Sequence, residues 1–329
     1  MDKNSFSGKE VLITGGLGFI GSNLAIRLVE LGAECQVVDS LHPEHGGNWF
    51  NIEPVRDRVK VVIRDVRDEE LISNLVRGKD FIFNLAGQVS HISSMDNPCQ
   101  DLESNCLSHL SLLEACKKYN RGVKVLYAGT RGQYGKIKTR PVTEEHALEP
   151  VDVNGVNKLA GEMYHMVYHQ VYGIPTCSLR LTNTYGPRHQ MKNSRQGIVN
   201  WFIRLALEDK ELLCFGEGSQ LRDCNYVDDV VEAFLLAALS ERSTGKIYNL
   251  GSGVAVSVRE IIEKVVALVG SGKMVKASFP EELSRIEIGD YQAEFSLIQK
   301  ELGWRPSVDI EQGLAHTIDY YRNNQEHYF

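Results

Sequence analysis

The sequence predicts an α/β fold, a doubly wound parallel sheet with a smaller lobe built mainly from the C-terminal part of the chain. Two observations carry this expectation. Short β-prone runs alternate with helical stretches through the first half of the sequence, and the first run leads directly into a glycine-rich turn and a helix. That run is Val11-Leu12-Ile13, the turn is Gly15-Gly16-Leu17-Gly18-Phe19-Ile20-Gly21, and Asn23, Leu24, Ile26, Arg27, Leu28 and Leu31 continue the helix until Gly32 stops it.

The order strand, glycine turn, helix has a chemical consequence. Backbone N–H groups at a helix N-terminus can approach a pyrophosphate closely, and the helix dipole favours its negative charge. Gly15, Gly18, Phe19, Ile20 and Gly21 are therefore candidate dinucleotide contacts. The next β-prone run, Glu34 to Asp39, ends in a carboxylate 18 residues past Gly21. A carboxylate at that spacing accepts adenosine ribose hydroxyls and repels a 2′-phosphate, which points to NAD rather than NADP.

Three more runs follow the pattern. Val59 to Ile63 leads to Asp65-Val66, Asp80 to Leu85 leads to Ala86-Gly87-Gln88, and Val123 to Tyr127 leads to Ala128-Gly129-Thr130. In a Rossmann-like sheet the ligand crevice lies beyond the carboxyl ends of the strands, so Asp65, Val66, Leu85, Ala86, Gly87 and Gln88 are expected at the cofactor. The alternation weakens after residue 183, where turns such as Phe215-Gly216-Glu217-Gly218 interrupt it. The expected organisation is an NAD-binding domain over 1–182 and a mainly substrate-binding lobe over 183–329, with part of 223–250 returning to the first domain.

Composition excludes several function classes. A net charge of −7 with dispersed signs argues against a nucleic-acid or anionic-membrane surface. No run approaches the ~18 apolar residues of a membrane span, and the first residues lack an apolar signal core. Seven cysteines without a Cys-x-x-Cys pair fit reduced thiols, and a cytoplasmic location is expected. His165 and His169 stand four apart but lack the acid of a His-Glu-x-x-His motif, so no metal is expected.

Beyond the glycine turn, Asp65-Val66, Leu85-Ala86-Gly87-Gln88, Leu112-Leu113-Glu114-Ala115, Lys158-Leu159-Ala160-Gly161-Glu162, Leu179-Arg180-Leu181-Thr182-Asn183-Thr184-Tyr185-Gly186-Pro187-Arg188, Arg222-Asp223-x-x-Tyr226-Val227-Asp228-Asp229-Val230 and Leu302-Gly303-Trp304-x-Pro306 occur in one order. In this the chain resembles the extended short-chain dehydrogenases, specifically the NAD-dependent nucleotide-sugar epimerase/dehydratase family, from about residue 9 to residue 321. The resemblance implies hydride transfer between a sugar carbon and NAD, a tyrosinate that accepts the hydroxyl proton, and a keto sugar as intermediate. It also implies a homodimer through two helices, Asp101 to Tyr119 and Val153 to Tyr172, with Leu107, Leu110, Met163 and Val167 as plausible contacts.

By the resemblance, Thr130 matches the hydroxyl at the reacting oxygen, and Lys158 matches the lysine that touches the cofactor and lowers the phenol's pKa. The tyrosine four residues before that lysine is absent, because Asn154 stands there. Asn154 holds the catalytic position, but an amide cannot act as the base, so Tyr134 and His91 are the candidate replacement groups, with Tyr134 favoured for packing or substrate contact. Gln88, Thr130, Asn183, Arg188, Arg222 and Arg285 are the expected substrate contacts, the arginines through phosphate oxygens or the sugar. Arg131-Gly132 replaces the Asp-Glu that follows the threonine in the dehydratases. The expected activity is epimerisation of a nucleotide sugar. A dehydratase or decarboxylase, or a catalytically impaired NAD and nucleotide-sugar binding protein, are the alternatives.

Overall fold

The computed structural model describes residues 2–43 and 45–329. The strands are β1 (Glu10–Thr14), β2 (Glu34–Asp39), β3 (Val59–Ile63), β4 (Phe81–Asn84), β5 (Lys124–Thr130), β6 (Thr176–Leu181), β7 (Asn183–Tyr185), β8 (Glu211–Phe215), β9 (Leu221–Tyr226), β10 (Lys246–Asn249), β11 (Ala255–Ser257) and β12 (Lys273–Ala277). Seven of them form one parallel sheet in the order β10-β6-β5-β4-β1-β2-β3. Its central strands read as continuous apolar runs because helices cover both faces. Val11, Leu12, Ile13, Ile82, Phe83, Val125 and Leu126 are all fully buried.

The strand order reverses between β1 and β4. The chain lays β2 and β3 on one side of β1 and then crosses to place β4, β5 and β6 on the other, which opens a crevice at the strands' carboxyl ends. Two smaller sheets, β11-β9-β7 and β12-β8, stand over that crevice. The chain returns to the large sheet through the helix Val227–Leu239 and the edge strand β10. The Trp304 indole, fully buried, donates to the Asp229 carbonyl at 2.8 Å and secures the C-terminal segment to that helix.

The helix Val153–Tyr172 is capped at its start by the Asp152 carboxylate, which accepts from the Gly155 N–H, and at its end by Gly173 in the left-handed region. Its amphipathicity is inverted. The buried stripe is largely polar, with Asn154, Asn157, Lys158, Glu162 and His165, while Val156, Met163, Val167 and Val171 are 51%, 38%, 47% and 62% exposed. The segment Asp101 to Tyr119 is not one regular helix. A wide turn at Glu103–Leu107 separates Pro98–Leu102 from Ser108–Tyr119, and such turns recur at functional sites. Here it turns Asn105 inward to donate to the Gln88 carbonyl at 2.9 Å.

The polar stripe is held by a buried ion pair. Arg180 of β6 donates to the Glu162 carboxylate at 2.6 Å through Nη2 and at 3.1 Å through Nε, and Ser178 adds a bond at 2.6 Å. Burial alone would lower the Arg180 pKa, but the carboxylate beside it raises it. Removing one partner leaves the other charge buried and alone. Glu162→Gln is expected to cost about 3–5 kcal/mol in urea unfolding, whereas Glu162→Leu combined with Arg180→Met costs far less. A loss below about 1 kcal/mol for the single variant would contradict this account.

Candidate active site

A cavity of about 950 Å³ occupies the crevice. Its cofactor end is the glycine turn. A Cβ at Gly21 would lie 2.2 Å from the Gly15 carbonyl oxygen, and Gly15, with φ +69°, faces the Ala86 backbone at 3.0 Å, so neither position admits a side chain. Thr14 joins this turn to the exit of β4, since its Oγ1 accepts from the Leu85 and Ala86 N–H groups, both at 3.0 Å. Asp39 closes the end. Its carboxylate accepts from Leu17 N at 3.0 Å and from Leu41 N at 2.9 Å. Burial raises its pKa, opposed by those backbone donors. Gly18, Phe19, Ile20, Asp65, Val66, Leu85, Ala86, Gly87 and Gln88 also line the cavity. The Gln88 side chain is committed to its own turn, exchanging bonds with Ser90 N at 2.7 Å and Ser90 O at 3.1 Å.

Thr130, Lys158, Asn154 and His91 all line the cavity. Thr130 Oγ1 accepts from Gly132 N at 3.2 Å, which leaves its proton to donate toward a ligand. Lys158 lies over the Tyr127 ring at 4.6 Å, and its Nζ has no hydrogen-bond partner among the described residues. Burial brings its pKa down to about 8 against the pull of Asp101 and Glu162. Asn154 has both amide protons committed, to the Gln88 carbonyl at 2.9 Å and to Asp101 at 3.2 Å. An amide so placed ties three segments together and moves no proton.

His91 is held by Asp152, with Nδ1 and Oδ2 2.7 Å apart. Burial would raise the Asp152 pKa, but the bond to His91 and the nearby Arg131 charge hold it below its ordinary value. An ionised carboxylate only accepts, so a proton sits on Nδ1 and Nε2 is the ring nitrogen not engaged by Asp152. Glycine at residue 132 gives the ring close quarters without a clash. A Cβ there would lie 3.0 Å from His91 Cε1.

Three expected site residues lie elsewhere. Tyr134 is only 1% exposed and outside the cavity lining, accepting from Arg180 at 2.7 Å and donating to Asn249 at 2.6 Å, so the phenol braces the β5 exit and is withdrawn as a catalytic candidate. Arg188 points away, to the Asn51 carbonyl at 3.0 Å and Asn23 at 2.9 Å, because its positive φ of 73° turns the side chain toward the N-terminal helix. Arg285 lies 73% exposed on the short helix Glu281–Ile286, paired with Glu281 one turn back. Neither arginine lines the cavity. Arg222 does, with Nη2 2.8 Å from Glu287, and Asn183 does with a buried Oδ1 that has no partner. Asp101 and Asp152 were missed by sequence reasoning. Asp152 was legible as a helix cap, but its bond to His91 spans 61 residues.

A family model described as GDP-mannose 4,6 dehydratase matches residues 12–317. The chain belongs to this family, the extended short-chain dehydrogenases of nucleotide-sugar epimerase and dehydratase type. Among curated relatives, a UDP-glucose 4-epimerase of Mycolicibacterium smegmatis is 32% identical over 96% of this chain and 99% of its own length. Among solved structures, the UDP-glucose 4-epimerase of Thermotoga maritima, in complex with UDP-glucose, superposes with a TM-score of 0.88 at 31% identity, over 96% of this chain and 99% of that one. A dTDP-glucose 4,6-dehydratase of Streptomyces venezuelae with NAD bound gives 0.86 at 28%, over 96% and 98%.

The Lys158 environment sets a pH dependence. Between about pH 8 and 10.5 the unfolded chain keeps the lysine proton and the folded one has released it, so this residue contributes stability that rises with pH across that window. The stability of the wild type relative to Lys158→Met, from urea unfolding, is expected to increase over the same range. A flat or falling difference would refute the burial-driven shift.

Proposed function

We propose that this protein is an NAD-dependent epimerase that inverts a carbon of a nucleotide-activated sugar through a transient keto sugar. The observation that carries the reading is a single cavity running from the glycine turn and Asp39, past Thr130, Lys158 and His91, to Arg222 and Asn183. The glycine turn fits a pyrophosphate because side chains are excluded from it, and Asp39 favours NAD over NADP. NAD, when bound, supplies the hydride acceptor and then the donor.

The residues of the chain do the rest. Thr130 donates to the reacting sugar oxygen, and Lys158 orients the cofactor ribose. With Asn154 in place of a phenol, His91 Nε2 takes the hydroxyl proton and later returns it, while Asp152 holds the ring and stabilises its charged form. Arg222 anchors the diphosphate, exchanging its Glu287 partner for phosphate oxygens. Expelling a hydroxyl would call for an acid beside Thr130, and the two residues that follow it are Arg131 and Gly132. Isomerisation is therefore favoured over elimination.

Incubation of the NAD⁺-loaded protein with UDP- and dTDP-sugars, followed by mass spectrometry, is expected to give a product of unchanged mass and altered configuration. Loss of water or carbon dioxide would assign a lyase instead, and binding without any product would assign the impaired binding protein. His91→Asn is expected to slow hydride transfer by about 10²–10⁴-fold, and Asp152→Asn, which keeps the helix cap, by less but with a shifted pH profile. An unchanged rate in His91→Asn would move the proton to Lys158, the other titratable group beside Thr130.

The partner is a second copy of this chain. Support comes from the outward apolar stripe of Val156, Met163, Val167 and Val171, joined by Leu102 and Leu107, which are 48% and 54% exposed on the adjoining helical segment. Leu110 instead faces the protein's own core. Sedimentation velocity is expected to give a dimer, and Val167→Glu a monomer. A monomeric wild type at micromolar concentration would exclude this interface. Among the described residues no helix is long and apolar enough to cross a membrane, and seven free cysteines, six of them buried, support a cytoplasmic location.

A further inference from the structure

We infer that the sugar accepted here carries a carboxylate, and that Arg131 is the residue that selects it. This rests on the nucleotide-sugar reading above and narrows its substrate class.

Arg131 follows Thr130 directly, in the turn Arg131–Tyr134, and lines the same cavity. Its Nη1 is buried without a hydrogen-bond partner, and no carboxylate of the described residues lies within 4.0 Å of the guanidinium. The group rests 5.6 Å from the centre of the Tyr291 ring, which supplies only weak compensation. Other buried guanidinium groups in this chain are matched, Arg180 by Glu162 and Arg222 by Glu287. In the free protein Glu287 pairs with Arg222 and accepts from Gly289 N at 3.1 Å, and it attracts Arg131 without touching it. Burial and the like charge of Arg222 bring the Arg131 pKa down to about 10, still far above neutrality, so the charge persists.

A persistent buried cation that feels Glu287 and Asp152 only at longer range, with neither in contact, is costly in the free protein and becomes favourable once an anion arrives. Its position decides which anion. On the reading above Thr130 addresses the reacting oxygen of the sugar, and the Arg131 guanidinium lines the same cavity within electrostatic reach of both Asp152 and Arg222. Arg131 also acts electrostatically on Asp152, which supports the His91 ring, so its charge lies near the reacting centre. A planar guanidinium meets a carboxylate through two parallel bonds, a geometry that neutral hydroxyls cannot repay. A neutral hexose would leave the charge unmatched, which is selection by penalty as well as by contact.

The test is calorimetric, on NAD⁺-loaded protein, with UDP, UDP-glucose, UDP-glucuronate and UDP-galacturonate, and with the corresponding dTDP compounds. In the series that binds, a uronate is expected to bind roughly tenfold or more tightly than the neutral glucose compound. Arg131→Met should abolish that preference and leave affinity for the bare diphosphate and for the glucose compound within about threefold, whereas Arg131→Lys retains part of it. Arg131→Met loses only the Tyr291 ring contact and longer-range attraction to Asp152 and Glu287, so relief of the burial cost should keep its unfolding temperature at or above that of the wild type. A wild type that binds glucose compounds as tightly as uronates overturns the proposal. So does an equal loss of bare-diphosphate affinity in Arg131→Met, which would make the guanidinium a phosphate contact, and so does a lowered unfolding temperature, which would make it structural. Failure of every compound, bare diphosphates included, would overturn the nucleotide-sugar reading itself.

Discussion

The buried ion pair between Glu162 and Arg180 is the constraint on which the site depends. It fastens the helix Val153–Tyr172 to β6, and through Arg180 it reaches Tyr134, Asn249 and the Glu144 carbonyl. One desolvated bridge thus sets the depth at which Lys158 and Asn154 sit relative to Thr130 at the end of β5. Because one face of that helix is polar and buried, most of the side chains on it find partners on other segments. Asn84 serves His109 and His165 at 3.0 and 3.3 Å, Asp101 serves Asn154 and Asn157, and Tyr127 serves the Lys158 carbonyl at 3.0 Å. A network of this kind tolerates little movement, since each displaced member leaves a buried polar group unpaired.

That rigidity explains how an asparagine can occupy a position where the resemblance leads one to expect a phenol. Asn154 spends both its protons on neighbouring segments, so the local structure is closed without a tyrosine. The proton acceptor proposed in its place belongs to a different element, the start of the short helix His91–Asp96. Asp152 links the two. The same carboxylate caps the Lys158 helix and fixes the His91 tautomer, so helix placement and proton affinity share one residue. Gly132 completes the exchange by leaving room for the imidazole.

The inverted amphipathicity of that helix has the complementary outcome. Its inner face is committed to polar contacts and its apolar residues lie outward, where a contiguous apolar stripe marks a surface suited to a partner. The candidate site and the proposed interface are two faces of one twenty-residue element.

The sheet, the glycine turn and the Asp39 position were readable from the sequence because each rests on local chemistry: continuous apolar runs in buried parallel strands, backbone approach that admits no side chain, and a carboxylate at a fixed spacing. Thr130 and Lys158 were readable from their motifs. Tyr134, Arg188 and Arg285 were not, because a tyrosine or arginine beside a glycine turn has the same sequence context whether it faces a cavity or a brace. Only the fold decided that Tyr134 meets Asn249, 115 residues away, and that Arg188 meets Asn23, 165 residues away. The pairing of His91 with Asp152 and the solitude of the Arg131 guanidinium belong to the same class. Sequence spacing determines which backbone can cradle a phosphate, whereas the charge left unpaired in a buried wall is decided by how distant segments pack.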